Sequence, residues 1–275
     1  MRVAVVGHVE WCEFAVVPHV PRAGHIVHAA ETFEEPAGGG GVAAVQLRKL
    51  AGEATLFTAF GDDETGHRSE AELREQGVHV EGRFHPEPQR RAFVYLDSAG
   101  ERTITVLGPR LGPSGADDLP WELLDNTDAV YVTAGDLEAV RQARRARVLV
   151  ATPRGLDTLA EAHVELDALV SSGRDPGERY SPGDLDPAPK VVVRTLGADG
   201  GEWETASGEQ GRWSAGELPG PIRDSYGSGD SFAAGLTYGL AAGWELPKAV
   251  DLAARCGAAC LTGRGPYEAQ LQLES

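Results

Sequence analysis

Short runs of β-branched and aliphatic residues alternate along this chain with helical patterns, and that rhythm limits the fold more than any other feature. Val3-Ala4-Val5-Val6 is a continuous apolar run ending at Gly7, as expected of a strand buried on both faces. Further strands are predicted over Thr55–Ala59, Ala129–Thr133, Val148–Ala151, Ala168–Ser171 and Val191–Thr195. Between and after them the spacing predicts helices over Val42–Leu50, Thr65–Gln76, Leu137–Ala146, Leu156–Ala162, Gly229–Ala242 and Pro247–Leu261. Strands alternating with helices imply a mostly parallel sheet with helices on both faces, an α/β fold. Ligands of such sheets bind beyond the carboxyl ends of the strands.

Two segments break the rhythm. Arg91–Val106 reads as a β-hairpin turning at Ser98-Ala99-Gly100, with Ala92, Val94 and Leu96 on one face and Phe93, Tyr95 and Asp97 on the other. The stretch His25–Glu34 is expected to add strands beside it, giving a small sheet outside the main one. The other break, Ser172–Pro189, is rich in Pro and Gly and predicts a loop with at most one helical turn. With no internal repeat and no convincing linker, residues 1–275 read as one domain.

The formal charge of -17, from 25 Lys+Arg against 42 Asp+Glu, argues against nucleic-acid and anionic-membrane partners, which need clustered cations. It leaves room for a small anionic ligand at a helix N-terminus. The 3 cysteines, Cys12, Cys256 and Cys260, match no zinc or disulfide framework and read as buried thiols in a reducing compartment. No apolar stretch approaches the ~20 residues of a spanning helix, and Met1–Gly7 suits a first strand and not a signal peptide. The expected location is the cytoplasm.

Two glycine motifs carry the chemistry. Asp224-Ser225-Tyr226-Gly227-Ser228-Gly229-Asp230-Ser231-Phe232 runs straight into a helix. Gly227 and Gly229 allow a tight turn and close approach of backbone to a ligand, and the helix start presents free N–H groups to an anion. Asp230 in its first turn is either an N-terminal charge partner or a general base beside a phosphate-binding turn. Ala37-Gly38-Gly39-Gly40-Gly41-Val42 places glycines before another helix, either a flexible cap or a floor for a polyhydroxyl substrate, and no Gly-Lys-Ser/Thr follows to make it a Walker loop.

The order of these segments, together with Gly61-Asp62-Asp63-Glu64-Thr65-Gly66 and Thr195-Leu196-Gly197-Ala198-Asp199-Gly200-Gly201, resembles the ribokinase-like (PfkB) carbohydrate kinase family over nearly the whole chain. The resemblance implies a three-layer ribokinase-like fold with a small β-sheet lid, formed here by segments about 12–36 and 88–108. It implies ATP as phosphoryl donor, with Mg²⁺ bridging the nucleotide phosphates, and a hydroxymethyl group of a small sugar or polyol as acceptor. Asp230 corresponds to the base. Gly227, Ser228 and Gly229 correspond to the anion hole for the transferred group. Gly38, Gly39 and Gly41 correspond to the acceptor floor, and Thr195, Gly197 and Gly200 to nucleotide-binding positions. Asp224, near Arg264-Gly265, falls where the family often places a monovalent cation such as K⁺. A homodimer through the lid is the implied assembly.

Several positions depart from the family pattern. Glu10 and Cys12 stand where the first strand usually carries Asn and Asp, so Glu10 is either a hydroxyl-holding residue or a solvated strand end. Ala43 replaces a usual Asn, which argues against ribose itself. Asp175, in Ser172-Gly173-Arg174-Asp175, is the nearest match to a Glu that orders Mg²⁺ through water, with a plain surface loop as the alternative. Trp11 either stacks on a substrate ring, which would favour a nucleoside kinase, or packs under the lid. A catalytically silent sugar- or nucleotide-binding relative is the reading from a different class, and the intact Gly-Ser-Gly-Asp weighs against it.

Overall fold

The computed structural model describes residues 1–273. In chain order its elements are β1 (Val3–Val6), β2 (Glu10–Val16), β3 (Glu31–Ala37), α1 (Gly38–Ala51), β4 (Thr55–Gly61), α2 (Glu64–Glu75), β5 (His79–His85), β6 (Arg91–Leu96) and β7 (Arg102–Leu107). There follow β8 (Ala129–Val132), α3 (Leu137–Ala143), β9 (Val148–Ala151), α4 (Leu156–Ala162), β10 (Ala168–Ser172), β11 (Val191–Thr195), β12 (Gly201–Thr205), β13 (Gln210–Trp213), α5 (Ser228–Ala241) and α6 (Leu246–Cys260).

The main sheet runs β13-β12-β11-β10-β9-β8-β1-β4-β5. All its neighbours pair in parallel except β11 with β12 and β12 with β13. Alternation within β1 explains the three layers. Val3 and Val5 join a core with α1, α5 and α6, whereas Ala4 and Val6 face a second core with α3, α4 and Trp121. Among the described residues no helix is long and apolar enough to cross a membrane.

A second sheet has the order β3-β2-β6-β7. The hairpin alternation reads as expected, with Ala92, Val94 and Leu96 buried. Its partners differ from expectation. Strand β3 covers Glu31–Ala37, not His25–Glu34, and β2 lies between β3 and β6. Strand β2 escaped prediction because its polar Glu10 is buried along with Trp11, Cys12 and Phe14, which hides the alternation. The small sheet meets the Asp224–Asp230 motif directly. Ser225 N donates to Gly100 O at 2.9 Å, and Arg102 N to Ser225 Oγ at 3.2 Å.

Strands β5, β12 and β13 were also unpredicted. The last two are short and glycine-bearing, and cross-strand aromatics hold them. A Cβ on Gly201 would lie 2.2 Å from the Trp213 ring, and one on Gly211 would lie 2.3 Å from the Trp203 ring. Gly200, at φ +76°, makes the β11–β12 turn with its Cβ position 2.0 Å from Trp213 O. Gly200→Ala is therefore expected to lower the unfolding free energy by more than about 1 kcal/mol, read as a shift of the urea midpoint at unchanged slope.

Candidate active site

The site is built where α1 and α5 start. Gly227 adopts φ +78° as the N-cap of α5, and a Cβ there would lie 2.8 Å from Pro266 Cβ and 2.9 Å from Val42 Cγ1. No side chain caps α5, so the first-turn N–H groups of Ser228, Gly229 and Asp230 lack partners within the helix. Around the Cβ position of Gly229 there is no atom within 4 Å, so the turn is open on that side.

Asp230 is half-buried on this turn. Burial pushes its carboxyl up to about 6, the charges of Glu178 and Glu10 push the same way, and Arg154 and Arg102 oppose. Asp224 is 1% exposed and accepts from Tyr226 N at 2.7 Å and Gly265 N at 3.1 Å, so it does lie against the Arg264-Gly265 loop. Burial pushes Asp224 up to about 6 as well, against the pull of those two hydrogen bonds.

The glycine run differs from its expectation. It is not a loop before a helix but the first turn of α1, which begins at Gly38. Tertiary contact overrides the poor helix propensity of glycine here. Gly40 N donates to His8 O at 3.0 Å, and a Cβ on Gly40 would lie 2.6 Å from that same oxygen. Gly38 N donates to the Tyr226 hydroxyl at 3.1 Å, tying the two glycine motifs together. A Cβ on Gly39 would lie 2.8 Å from Asp230 Oδ1, and one on Gly38 would lie 3.2 Å from Glu10 Cγ. Gly41 turns elsewhere, its Cβ position facing the Tyr267 hydroxyl at 3.3 Å and Leu73 at 3.6 Å.

Glu10 is 7% exposed and so is not a solvated strand end. Arg90 Nε lies 2.5 Å and His8 Nε2 3.7 Å from its Oε1. Burial, then the positive fields of Arg110, Arg90 and Arg154, hold the His8 imidazole down at about 3, so it is neutral near pH 7. Cys12 faces the Tyr226 hydroxyl at 3.3 Å and is a buried thiol. Trp11 is 1% exposed, with the Arg68 guanidinium 4.2 Å from its ring centroid, which removes it as a stacking platform.

Asp175 caps a short turn by accepting from Gly177 N at 2.8 Å and pairs with Arg154. Arg154 also donates to Glu178 Oε1 at 2.8 Å. Thr195 and the 197–200 turn sit beside this loop, where Gly173 N donates to Thr195 O at 2.9 Å. Among the described residues no three His, Cys, Asp or Glu side chains stand together as a metal cage. Sequence reasoning gave no site role to His8, Arg90, Arg154 or Glu178. For Arg154 a signal existed, since it follows the carboxyl end of a parallel strand.

The family described as "pfkB family carbohydrate kinase" matches residues 1–170 and 183–272. A relative from Halopiger xanaduensis, named ATP-dependent ribose-1-phosphate kinase, is 28% identical over 94% of this chain and 91% of its own. The fold is similar to ribokinase from Giardia lamblia (TM-score 0.80, 16% identity, 99% of this chain and 97% of that one). It is also similar to Arabidopsis thaliana ribokinase complexed with ribose and ATP (TM-score 0.77, 19% identity, 98% and 95%). With open helix-start amides, a carboxylate among them and a family match across nearly its whole length, this chain belongs to the PfkB family of carbohydrate kinases.

Proposed function

We propose that the protein transfers the γ-phosphoryl group of ATP to the hydroxymethyl group of a small sugar. The supporting observation is the Asp230 carboxylate, set on an uncapped helix start and against the side-chain-free face of Gly39. In this reading Asp230 takes the proton of the acceptor hydroxyl as its oxygen bonds to the γ-phosphorus and the bond to the β-phosphate oxygen breaks. Amides of the Gly227–Gly229 turn stabilise the charge on the moving group. Gly38 and Gly39 let the acceptor approach, and Glu10 accepts from one of its hydroxyls. Thr195, Gly197 and Gly200 border the nucleotide. When bound, Mg²⁺ would supply charge neutralisation for the transferred group. Asp175 and Glu178 are the carboxylates that would reach it through water, and their pairing with Arg154 keeps them oriented.

The small sheet acts as the lid that excludes water. Its strand β7, with exposed Ile104, Val106 and Leu107, is the edge a second subunit would cover. Asp224, buried beside Gly265, is the residue through which K⁺ would act. The Halopiger relative's name extends the acceptor range to a phosphorylated pentose.

The test is ATP turnover against pentoses, hexoses, nucleosides and pentose phosphates. Turnover is expected only where a hydroxymethyl group is free. Failure on every acceptor, with sugar binding retained, would overturn the reading in favour of a silent sugar-binding relative.

A further inference from the structure

The chain passes from the main sheet to the small sheet twice, and the two crossings lie side by side. Residues 7–9 join β1 to β2, and residues 86–90 join β5 to β6. Strands β2 and β6 pair in parallel from Trp11 opposite Arg91 onward. One residue earlier, Glu10 and Arg90 therefore stand level at the mouth of the small sheet, and their ion pair follows from that register.

The second crossing is fixed by the Gly61–Gly66 motif, to which phosphoryl transfer gives no task. Asp63 caps α2, accepting from Gly66 N at 2.8 Å through Oδ1, and its Oδ2 accepts from Gln89 N at 2.9 Å. Gln89 is 3% exposed. Its Oε1 accepts from Gly61 N at 3.0 Å, and its Nε2 donates to Val9 O at 2.8 Å. The fit admits no side chain at either glycine. A Cβ on Gly61 would lie 2.1 Å from Gln89 N, and one on Gly66 would lie 1.9 Å from Gly61 O. Trp11 N donates to Arg90 O at 2.9 Å. Glu10 is thus gripped through both chain neighbours, Val9 and Trp11, and through its side chain by Arg90.

This run of bonds ends on a carboxylate and not on apolar core. Glu10 is 7% exposed, and Arg90 and His8 both approach its Oε1. That leaves Oε2 beside the acceptor floor, where a Cβ on Gly38 would lie 3.2 Å from Glu10 Cγ. A carboxylate oxygen shut away from water without a donor is costly. Held rigidly, the same oxygen is a selective receiver for a hydroxyl.

Resting on the kinase reading above, we infer that Gln89, steadied by Asp63, is the positioning residue for acceptor choice: it holds Glu10 so that Oε2 accepts from one particular hydroxyl of the sugar, and a sugar lacking that hydroxyl is rejected. Gln89 touches no substrate and acts through Glu10 and Arg90. The Gly61–Gly66 motif thereby serves specificity, from the far side of the strand that carries Glu10.

The test takes the best free sugar from the turnover panel and its singly deoxygenated analogues, with initial rates at saturating ATP. A hydrogen bond to a charged group supports about 10- to 100-fold, so in the parent one analogue is expected to lose that factor in kcat/KM. Gln89→Met keeps the length of the side chain and removes both of its hydrogen bonds. It should bring the ratio near unity by weakening use of the hydroxylated sugar alone, leaving the deoxy analogue and the KM for ATP unchanged. A merely structural Gln89 would lower both sugars alike. Because Gln89→Met strips Gly61 N and Val9 O of their partner, Asp63→Asn provides a milder variant. Asn has one accepting oxygen, which keeps the α2 cap and drops the bond to Gln89 N, so the same ratio should narrow in part. In Glu10→Gln the ratio is already lost, and adding Gln89→Met should change it no further. Equal losses on both sugars, a ratio untouched by either variant, or an effect confined to ATP would overturn the inference. If the parent turns over no acceptor, calorimetric titration of the panel sugars and their deoxy analogues decides. A hydroxyl preference that depends on Gln89 would uphold the positioning role and remove only the kinase reading, and its absence would overturn both.

Discussion

Replacing Asp230 by Asn is expected to lower kcat by about 10²–10⁴-fold, the usual contribution of a positioned general base, with little change in the KM for ATP. The substitution keeps the shape of the side chain and its place on α5 but removes the ability to accept a proton. The pH profile gives a second, independent mark. Burial raises the Asp230 carboxyl to about 6, so the base form is lost as pH falls through that value and complete above it. The parent enzyme should therefore show kcat/KM rising tenfold per pH unit below about 6 and a plateau above. Asn at this position should abolish that limb. Asp224 is raised to about 6 as well, so any acid limb that survives in Asp230→Asn belongs to Asp224 and should vanish in Asp224→Asn.

Stability should move the other way. A carboxyl whose folded pKa lies above its unfolded value contributes stability at low pH and loses it as pH rises through the folded value. Above about pH 6 the folded protein carries Asp230 ionised in surroundings that disfavour the charge. Asp230→Asn removes that penalty, so its Tm near pH 7 should match or exceed the parent's. A slow enzyme with a raised Tm identifies a functional residue kept at the expense of stability. A slow enzyme with a lowered Tm would mean that Asp230 is a structural cap whose loss perturbs α5.

Much of this was legible in the sequence because it is local. Gly227-Ser228-Gly229-Asp230 is a contiguous turn whose conformation and open amides follow from its own residues. The central parallel strands β1, β8 and β9 announced themselves as unbroken apolar runs, each buried on both faces. What was not legible depends on distant partners. The helix start at Gly38 is set by His8 and Tyr226, which supply contacts that no helix propensity contains. Between a hydroxyl-holding residue and a solvated strand end the sequence could not decide for Glu10, because its partner Arg90 lies far along the chain and is brought in by Gln89 and Asp63. Glu178 was hidden in a loop whose Pro and Gly content signalled only irregularity, and it acquires meaning through Arg154 on another strand end. A single sequence marks positions where backbone conformation is special. It does not mark where side chains from four loops will meet.

The same distinction makes the glycine pair at the start of α1 the sharpest probe of the site. Gly39 and Gly40 are adjacent, both lack a positive φ, and an alanine at either is allowed by the backbone. Their surroundings differ in kind. A methyl at Gly40 would press on main chain, 2.6 Å from His8 O and 2.8 Å from Gly7 C. Backbone at the end of a central strand cannot yield, so Gly40→Ala is expected to destabilise the fold by about 1–3 kcal/mol, the range for overpacking, visible as a lower urea midpoint. A methyl at Gly39 would instead meet Asp230 Oδ1 at 2.8 Å, and then Thr133 side-chain atoms at 3.4 Å. A carboxylate at the tip of a short side chain can rotate away at small energetic expense, and the helix gains from exchanging Gly for Ala. Gly39→Ala should thus keep the parent's stability while displacing the base from its line to the acceptor. A displacement of about 1 Å can reduce turnover about 10²-fold, and the loss should appear in kcat more than in the KM for ATP. In an Asp230→Asn background the methyl has no base left to displace, so adding Gly39→Ala should lower the remaining rate little, a strongly non-additive pair. Full additivity of the two losses would mean that the Gly39 face serves the acceptor directly and that its closeness to Asp230 is incidental.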